Sequence, residues 1–254
     1  MIVHRAGDQG YFNLTLMPPA ALESIPRRPI EMVFVLDTSG SMSGVPIKQA
    51  KDAAEFALQQ LRPEDSFQII RFSDRASALG TQPLAATRQN IQRGVSHLRG
   101  LESGGGTMMI EGIKAALDFP MDENRQRYVV FLTDGYIGNE TEILSAMQQR
   151  LNGARIFSFG VGSSVNRFLM ERMAALGDGA VAYIGAHDDP VPVMQAFINR
   201  AAHPAMEHLK IDWGGLAVSD VFPRDLPDLF VGRPITITGR FDPKSLERAG
   251  RATI

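Results

Sequence analysis

The sequence predicts an α/β fold: a doubly wound, mostly parallel sheet with helices on both faces, plus a small β appendage from the two terminal segments. Three observations predict it. Short, near-continuous apolar runs recur between residues 30 and 185, as expected of strands buried on both faces. Stretches of roughly 10–15 residues with helical periodicity alternate with them. After Met206 the helical period disappears and strand-like runs take over.

Residues 1–29 hold one alternating run, Tyr11 to Leu16, followed by Pro18, Pro19, Pro26 and Pro29. An isolated strand and a proline-rich link is the natural reading. MVFVL (32–36) reads as the first buried strand. A Ser/Gly loop follows, then a helix whose Ile47, Ala50, Ala54, Ala57, Leu58 and Leu61 fall on one stripe. FQIIRF (67–72) is a second strand, and a helix over about 88–99 follows Thr87. The glycine run 104–106 introduces a helix through Ile110, Ile113, Ala116 and Leu117 towards Pro120. YVVFL (128–132), RIFSFGV (155–161) and AVAYIG (180–185) are further strands, with helices over 140–151, 166–176 and 190–201. Beyond them LKIDW, LAVSDVF and PITITGRF read as appendage strands. The division is therefore 1–29, 30–204 and 205–254. Pairing of the two terminal pieces is expected, because strand edges left open are a liability.

The chain has 254 residues, enough for one large domain or one domain with an appendage. With 44% hydrophobic and 21% charged residues, a packed core is expected and wholesale disorder is excluded. A formal net charge of −2 argues against a nucleic-acid partner, which would need a basic surplus. The absence of cysteine excludes disulfides, thiolate zinc sites and a cysteine nucleophile. The first twenty residues have no apolar signal-peptide core, and no run approaches the ~18 apolar residues that span a bilayer. Direct membrane insertion of this segment is not expected, and the default address is the cytoplasm if the chain is complete. The strand-like and basic C-terminal residues fit an excerpt of something larger equally well.

Asp37-Thr38-Ser39-Gly40-Ser41 directly follows the first buried strand. In an open α/β sheet, ligands bind in the crevice beyond the carboxyl ends of the strands. Alternating Asp37, Ser39 and Ser41 let one turn present three oxygen side chains to a common point. One carboxylate and two hydroxyls suit a hard cation such as Mg²⁺ better than zinc. YVVFL runs into Thr133-Asp134-Gly135, which places Asp134 at another strand end. Thr107 stands at a helix start after the glycine run, where its hydroxyl can cap the helix or reach the same crevice. With only two carboxylates, such a site stays electron-poor and open to an outside carboxylate.

Plainer readings compete with this one. Ser41 or Ser43 can simply cap the helix beginning near Val45. The GGGT run can be a flexible turn or a phosphate cradle, but it lacks the lysine of a P-loop. Asp-Thr-Ser-Gly superficially matches an aspartic protease loop, yet a second copy and an all-β fold are missing. A serine nucleophile would need a histidine base. His4, His97, His203 and His208 fall in segments away from the crevice, and His187 stands in a polar His-Asp-Asp loop. Arg93, His97 and Arg99 form a modest basic helix face. Met42 and Met108 flank the crevice and can form an apolar rim.

The Asp37-x-Ser39-x-Ser41 motif, with Thr107 and Asp134-Gly135 in order, resembles a von Willebrand factor type A domain over residues 30–202. The resemblance implies a Rossmann-like fold and a metal-ion-dependent adhesion site made of Asp37, Ser39, Ser41, Thr107 and Asp134. It further implies that the three hydroxyls bind Mg²⁺ while Asp37 and Asp134 bind it directly or through water, with Mn²⁺ or Ca²⁺ as substitutes. A protein partner's Asp or Glu side chain would complete the octahedron. GYFNLTLMPP, GVGSSVNRFLMERMA (160–174) and LPDLFVGRPITITGRF (226–241) resemble inter-alpha-trypsin inhibitor heavy-chain-like proteins, including bacterial members. That would make residues 1–29 the end of a preceding β module and favours an exported or envelope-associated protein. The function expected is metal-dependent protein binding without catalysis. The alternatives are a metal-dependent hydrolase or an accessory module of an ATPase complex, and a vestigial site in a structural domain.

Overall fold

The computed structural model describes residues 1–18, 28–135, 137–201, 204–206, 209–224, 226, 229–230, 234–247, 249–250 and 253. Contacts divide the chain into two compact units, Arg28–Ile198 and a smaller one joining Met1–Arg27 to Asn199–Ile254.

The chain opens with an antiparallel hairpin, β1 (Ile2–Ala6) and β2 (Gln9–Leu16), turning at Gly7 with φ 61°. The expected isolated strand is therefore half of a pair. IVHRA of β1 is exposed along its whole length, so it carries no in–out alternation to read.

The larger unit follows, with strands β3 (Ile30–Asp37), β4 (Ser66–Phe72), β5 (Ala76–Ala78), β6 (Leu84–Ala85), β7 (Gln126–Thr133), β8 (Arg155–Val161) and β9 (Ala180–Ile184). Its helices are α1 (Val45–Gln59), α2 (Arg88–Arg99), α3 (Met109–Leu117), α4 (Glu140–Gln148), α5 (Arg167–Leu176) and α6 (Pro190–Ala201). The sheet order is β5-β4-β3-β7-β8-β9. β4, β3, β7, β8 and β9 run parallel, while β5 and β6 pair antiparallel with β4 and cover its outer edge. These two short strands leave no apolar run in the sequence.

Every residue of β3 is buried, as a central parallel strand requires, and its side chains alternate between two apolar layers. Val33 and Val35 join Ile70, Phe72, Val129 and Phe131 in a cluster with Ile113 of α3, Met147 of α4 and Leu169 of α5. On the other face Phe67 and Ile69 of β4 meet α1 and α2 so closely that a Cβ at Gly94 would lie 2.7 Å from Leu58 and 3.0 Å from Phe67. Phe157 and Phe159 of β8 pack on Phe197 of α6, with ring centroids 4.7 and 5.3 Å apart. Each such fully buried side chain contributes about 1.5–3 kcal/mol through removal from water.

Two local features fix helix ends. Thr87 accepts the Asn90 amide at 3.2 Å and caps α2, and Asn166 accepts the Leu169 amide at 3.1 Å and caps α5. His97, expected on a solvated face, is half-buried, with its Nε2 enclosed and lacking a hydrogen-bond partner. Near the start of β3 and β7, buried Glu31 accepts Arg127 Nε at 2.5 Å. Arg127 also donates to the carbonyls of Phe119 (3.0 Å) and Pro120 (2.7 Å) and lies over the Phe119 ring.

In the smaller unit β10 (Pro204–Met206) pairs with β12 (Leu229–Phe230), while β11 (Val218–Phe222) and β13 (Ile235–Phe241) join the hairpin. The four-stranded order is β1-β2-β13-β11, and β13 runs antiparallel to β2 from Ile235↔Leu16 to Phe241↔Gly10. The appendage thus draws on both terminal segments. Phe12, Ile235, Ile237 and Phe241 form its small core, with Trp213 5.0 Å from Phe12 between ring centroids. LKIDW (209–213) is not a strand. Its one ladder contact is the bridge Asp212↔Thr253, and Leu209, Ile211 and Trp213 serve the core from a loop. Among the described residues no helix is long and apolar enough to cross a membrane.

Candidate metal centre

The parallel strands end side by side, with Asp37 in register with Phe72 and Leu36 with Leu132. Asp37 is the last residue of β3 and fully buried. One carboxylate oxygen accepts the Ser39 amide at 2.8 Å, and the other accepts the Thr133 hydroxyl at 2.6 Å. Thr133 Oγ1 in turn accepts the buried Gly135 amide at 2.8 Å. The Asp37 side chain is therefore held from two strands.

A single 3₁₀ turn, Gly40–Met42, brings Ser39 and Ser41 round so that their hydroxyls lie 3.1 Å apart. Helix α1 has Gly44 as its N-cap, at φ 83°, and no side chain caps it. The capping role that competes for Ser41 and Ser43 is therefore not used. Ser43 instead accepts the Ser103 hydroxyl at 3.0 Å.

Residues 101–108 are tied through the main chain to this loop and to the end of β4. Gly104 N donates to Thr38 O (2.7 Å), Gly40 N to Gly105 O (3.1 Å) and Met108 N to Ser73 O (2.7 Å). Asp74 accepts the Gly106 amide at 2.8 Å, and Gly105 sits at φ 83° with room for no side chain. A Cβ there would lie 2.3 Å from Asp74 Oδ2. Thr107 follows, half-buried, and Met108 rather than Thr107 is the N-cap of α3, without a side-chain cap bond.

Asp134, 6% exposed, leaves the end of β7 and accepts the Asn166 amide on its carbonyl at 2.9 Å. Gly135, at φ 61°, faces Asn166 and Met170. Burial pushes the Asp37 carboxyl above the usual carboxylate range. The hydrogen bonds from Ser39 and Thr133 oppose that shift, and the Asp134 charge reinforces it.

Asp37, Ser39 and Ser41 are thus linked by hydrogen bonds, and Asp134 is close enough to repel Asp37. Thr107 stands on a loop fastened to both Thr38 and Gly40. Among the described residues no group of three or more His, Asp or Glu could hold an ion alone. An ion here would draw on hydroxyls. A donor set of oxygens only, built round the Asp37 carboxylate that burial and the Asp134 charge destabilise, fits a hard divalent cation.

Sequence reasoning missed Thr133 and Asp74, which position the loops. Thr133 was visible only as a strand end, and Asp74 had no signal at all. Met42 does not join Met108 in an apolar rim, because it is fully buried while Met108 is 51% exposed. His203 and His208 lie outside the described residues. The loop of His187 is structural: Asp188 accepts the Gly185 amide and Asp189 the Val191 amide. Neither Ser39 nor Ser41 bonds a histidine among the described residues.

A doubly wound sheet with three loops gathered at its strand ends defines the open α/β class, in which ligand sites lie at that end of the sheet. Residues 30–183 match the family model described as von Willebrand factor type A domain, and the chain belongs to that family. It is 30% identical over 229 residues to a von Willebrand factor A domain-containing protein of Dictyostelium discoideum, covering 89% of this chain and 11% of that one. It is 25% identical over 257 residues to inter-alpha-trypsin inhibitor heavy chain H2 of Sus scrofa, covering 96% of this chain and 28% of that one. The chain thus spans between about a tenth and a quarter of the curated relatives it matches. A solved von Willebrand factor type A structure from Catenulispora acidiphila has a TM-score of 0.66 at 17% identity, covering 95% of this chain and 67% of that one. The ArnB paralog VWA2 from Sulfolobus acidocaldarius has a TM-score of 0.61 at 19% identity, covering 92% and 62%. At such identity these two structures speak for the fold alone.

Proposed function

We propose that this chain is a protein-binding module whose binding depends on a divalent cation, Mg²⁺ with Mn²⁺ or Ca²⁺ as substitutes. Ser39, Ser41 and Thr107 would offer hydroxyls, and Asp37 and Asp134 would hold the ion directly or through water. The observation that carries the reading is the pairing of the Ser39 and Ser41 hydroxyls beside the buried Asp37, with neither hydroxyl engaged in a helix-cap hydrogen bond. Bound there, the ion supplies a positive centre that attracts an acidic side chain. Two carboxylates barely neutralise it, so a partner's Asp or Glu is the natural further ligand. Domains of this family serve protein–protein interaction, which supports the same conclusion. Binding is assigned to residues 30–204, and the segments 1–29 and 205–254 supply the β unit. The resemblance to inter-alpha-trypsin inhibitor heavy chains favours an exported or envelope setting. Among the described residues no base is bonded to the loop serines, so the hydrolase reading gains no support from them.

Calorimetric titration of Mg²⁺ into EDTA-stripped protein tests the reading. A saturable signal that Asp37→Ala abolishes, with the fold retained by circular dichroism, is the expected result. Equal Mg²⁺ affinity in both proteins would overturn it.

A further inference from the structure

In the larger unit, the exposed large apolar side chains among the described residues are Val45 (51%), Met108 (51%) and Phe168 (62%). Single exposed apolar residues are normal on a protein surface, but each of these three directly adjoins a loop of the candidate metal centre along the chain. Val45 opens α1, four residues after Ser41. Met108 is the N-cap of α3, directly after Thr107. Phe168 stands in the first turn of α5, two residues after Asn166, which donates its amide to the Asp134 carbonyl and packs on Gly135. Each therefore borders a different loop of the candidate metal centre, at the strand ends. Leu169 and Met170, the neighbours of Phe168, turn into the core, so its exposure is not forced by a polar helix.

From this placement we infer that Val45, Met108 and Phe168 form an apolar rim that selects the partner: a protein segment in which one acidic residue is bracketed by large apolar side chains. The inference rests on the metal-dependent reading and adds to it which acidic residues are accepted. A bare apolar patch would suit a lipid or a second copy of the chain. A cation at its centre demands a carboxylate there, and the rim demands apolar neighbours on either side of it. Chemistry of this kind discriminates well, because a carboxylate flanked by polar residues would leave three apolar side chains wet.

Random peptides displayed on phage, selected on the whole chain in millimolar Mg²⁺ and eluted with EDTA, test this. The expected selection is enriched in a single Asp or Glu with aromatic or aliphatic residues on both sides. With Val45→Ser, Met108→Ser and Phe168→Ser combined, the acid should persist and the apolar flanks should vanish. Phe168→Ser alone should weaken the best peptide about tenfold. Mg²⁺ titration and thermal unfolding of these variants should match the parent protein. Acidic peptides without apolar flanks would overturn the rim while leaving the metal reading intact. No EDTA-eluted enrichment at all, in protein that binds no Mg²⁺, would overturn the metal reading and the rim with it. A dimer in sedimentation that the triple variant makes monomeric would also overturn it, since a second copy would then cover the rim.

Discussion

Thr133 is the most informative side chain to remove, because it links two loops through one hydroxyl. It donates to Asp37 at 2.6 Å and accepts the Gly135 amide at 2.8 Å, and all three groups are buried. Thr133→Val keeps the shape and deletes both bonds. A hydrogen bond to a charged group is worth about 1.5–3 kcal/mol, and an orphaned buried amide costs about 1–3 kcal/mol. The two losses share one atom and will not add fully, so a destabilisation of about 3 kcal/mol is expected. For a chain of this size that lowers Tm by about 10 °C. Without Thr133 one oxygen of Asp37 also loses its orientation. Residues that orient a ligand in this way typically cost about 10–100-fold in metal affinity when replaced. Urea denaturation and Mg²⁺ calorimetry on the parent, Thr133→Val and Thr133→Ser would measure both effects. The serine variant, which restores the hydroxyl, should recover most of each. A valine variant as stable as the parent, with unchanged Mg²⁺ affinity, would refute the reasoning.

Four further outcomes are expected. Asp37→Asn relieves a buried charge facing Asp134 but sets an NH2 against one of the two donors that Asp37 accepts, so it is expected to lose the gain of about 2.7 kcal/mol that the parent draws from a hundredfold excess of Mg²⁺ over Kd; paired melting curves with and without Mg²⁺ decide it. Gly105→Ala must strain a positive φ and displace Asp74, so loop 101–108 should shift and Mg²⁺ affinity fall at least tenfold, read by the same titration. Glu31→Ala leaves the buried Arg127 with only its two carbonyl acceptors and should cost about 3 kcal/mol in urea denaturation. For His97, burial first, then the charges of Arg71 and Arg93, hold the imidazole below its ordinary value of 6.5. Its folded pKa is lower than its unfolded one, so the stability it contributes is full above pH 6.5 and is lost as the pH falls through the folded value. Urea midpoints should drop as the pH is lowered below 6.5, and His97→Leu should flatten that slope.

What could be read from the residues follows from what periodicity records. β3, β4, β7 and β8 are buried on both faces and therefore write themselves as apolar runs. Strands β1, β5 and β6 owe their existence to a neighbour's ladder and not to their own pattern, so IVHRA, ASA and LA gave no sign. LKIDW misled for the opposite reason: its apolar residues fill the small core from a loop. Near the centre, Asp37, Ser39 and Ser41 stood out because they are adjacent in sequence. Thr133 and Asp74 act across loops, the first from residue 133 on residue 37 and the second from residue 74 on residue 106. Only coordinates join such pairs. Met42 shows the limit of position alone, since one turn of 3₁₀ helix directs it inwards while Ser41 beside it faces out.

Anomalous diffraction from crystals soaked in Mn²⁺ tests the central claim most directly. The account predicts one strong peak in the larger unit, bounded by the hydroxyls of Ser39, Ser41 and Thr107 and by the carboxylates of Asp37 and Asp134. A crystal that takes up Mn²⁺ elsewhere and shows no peak between those hydroxyls would contradict it.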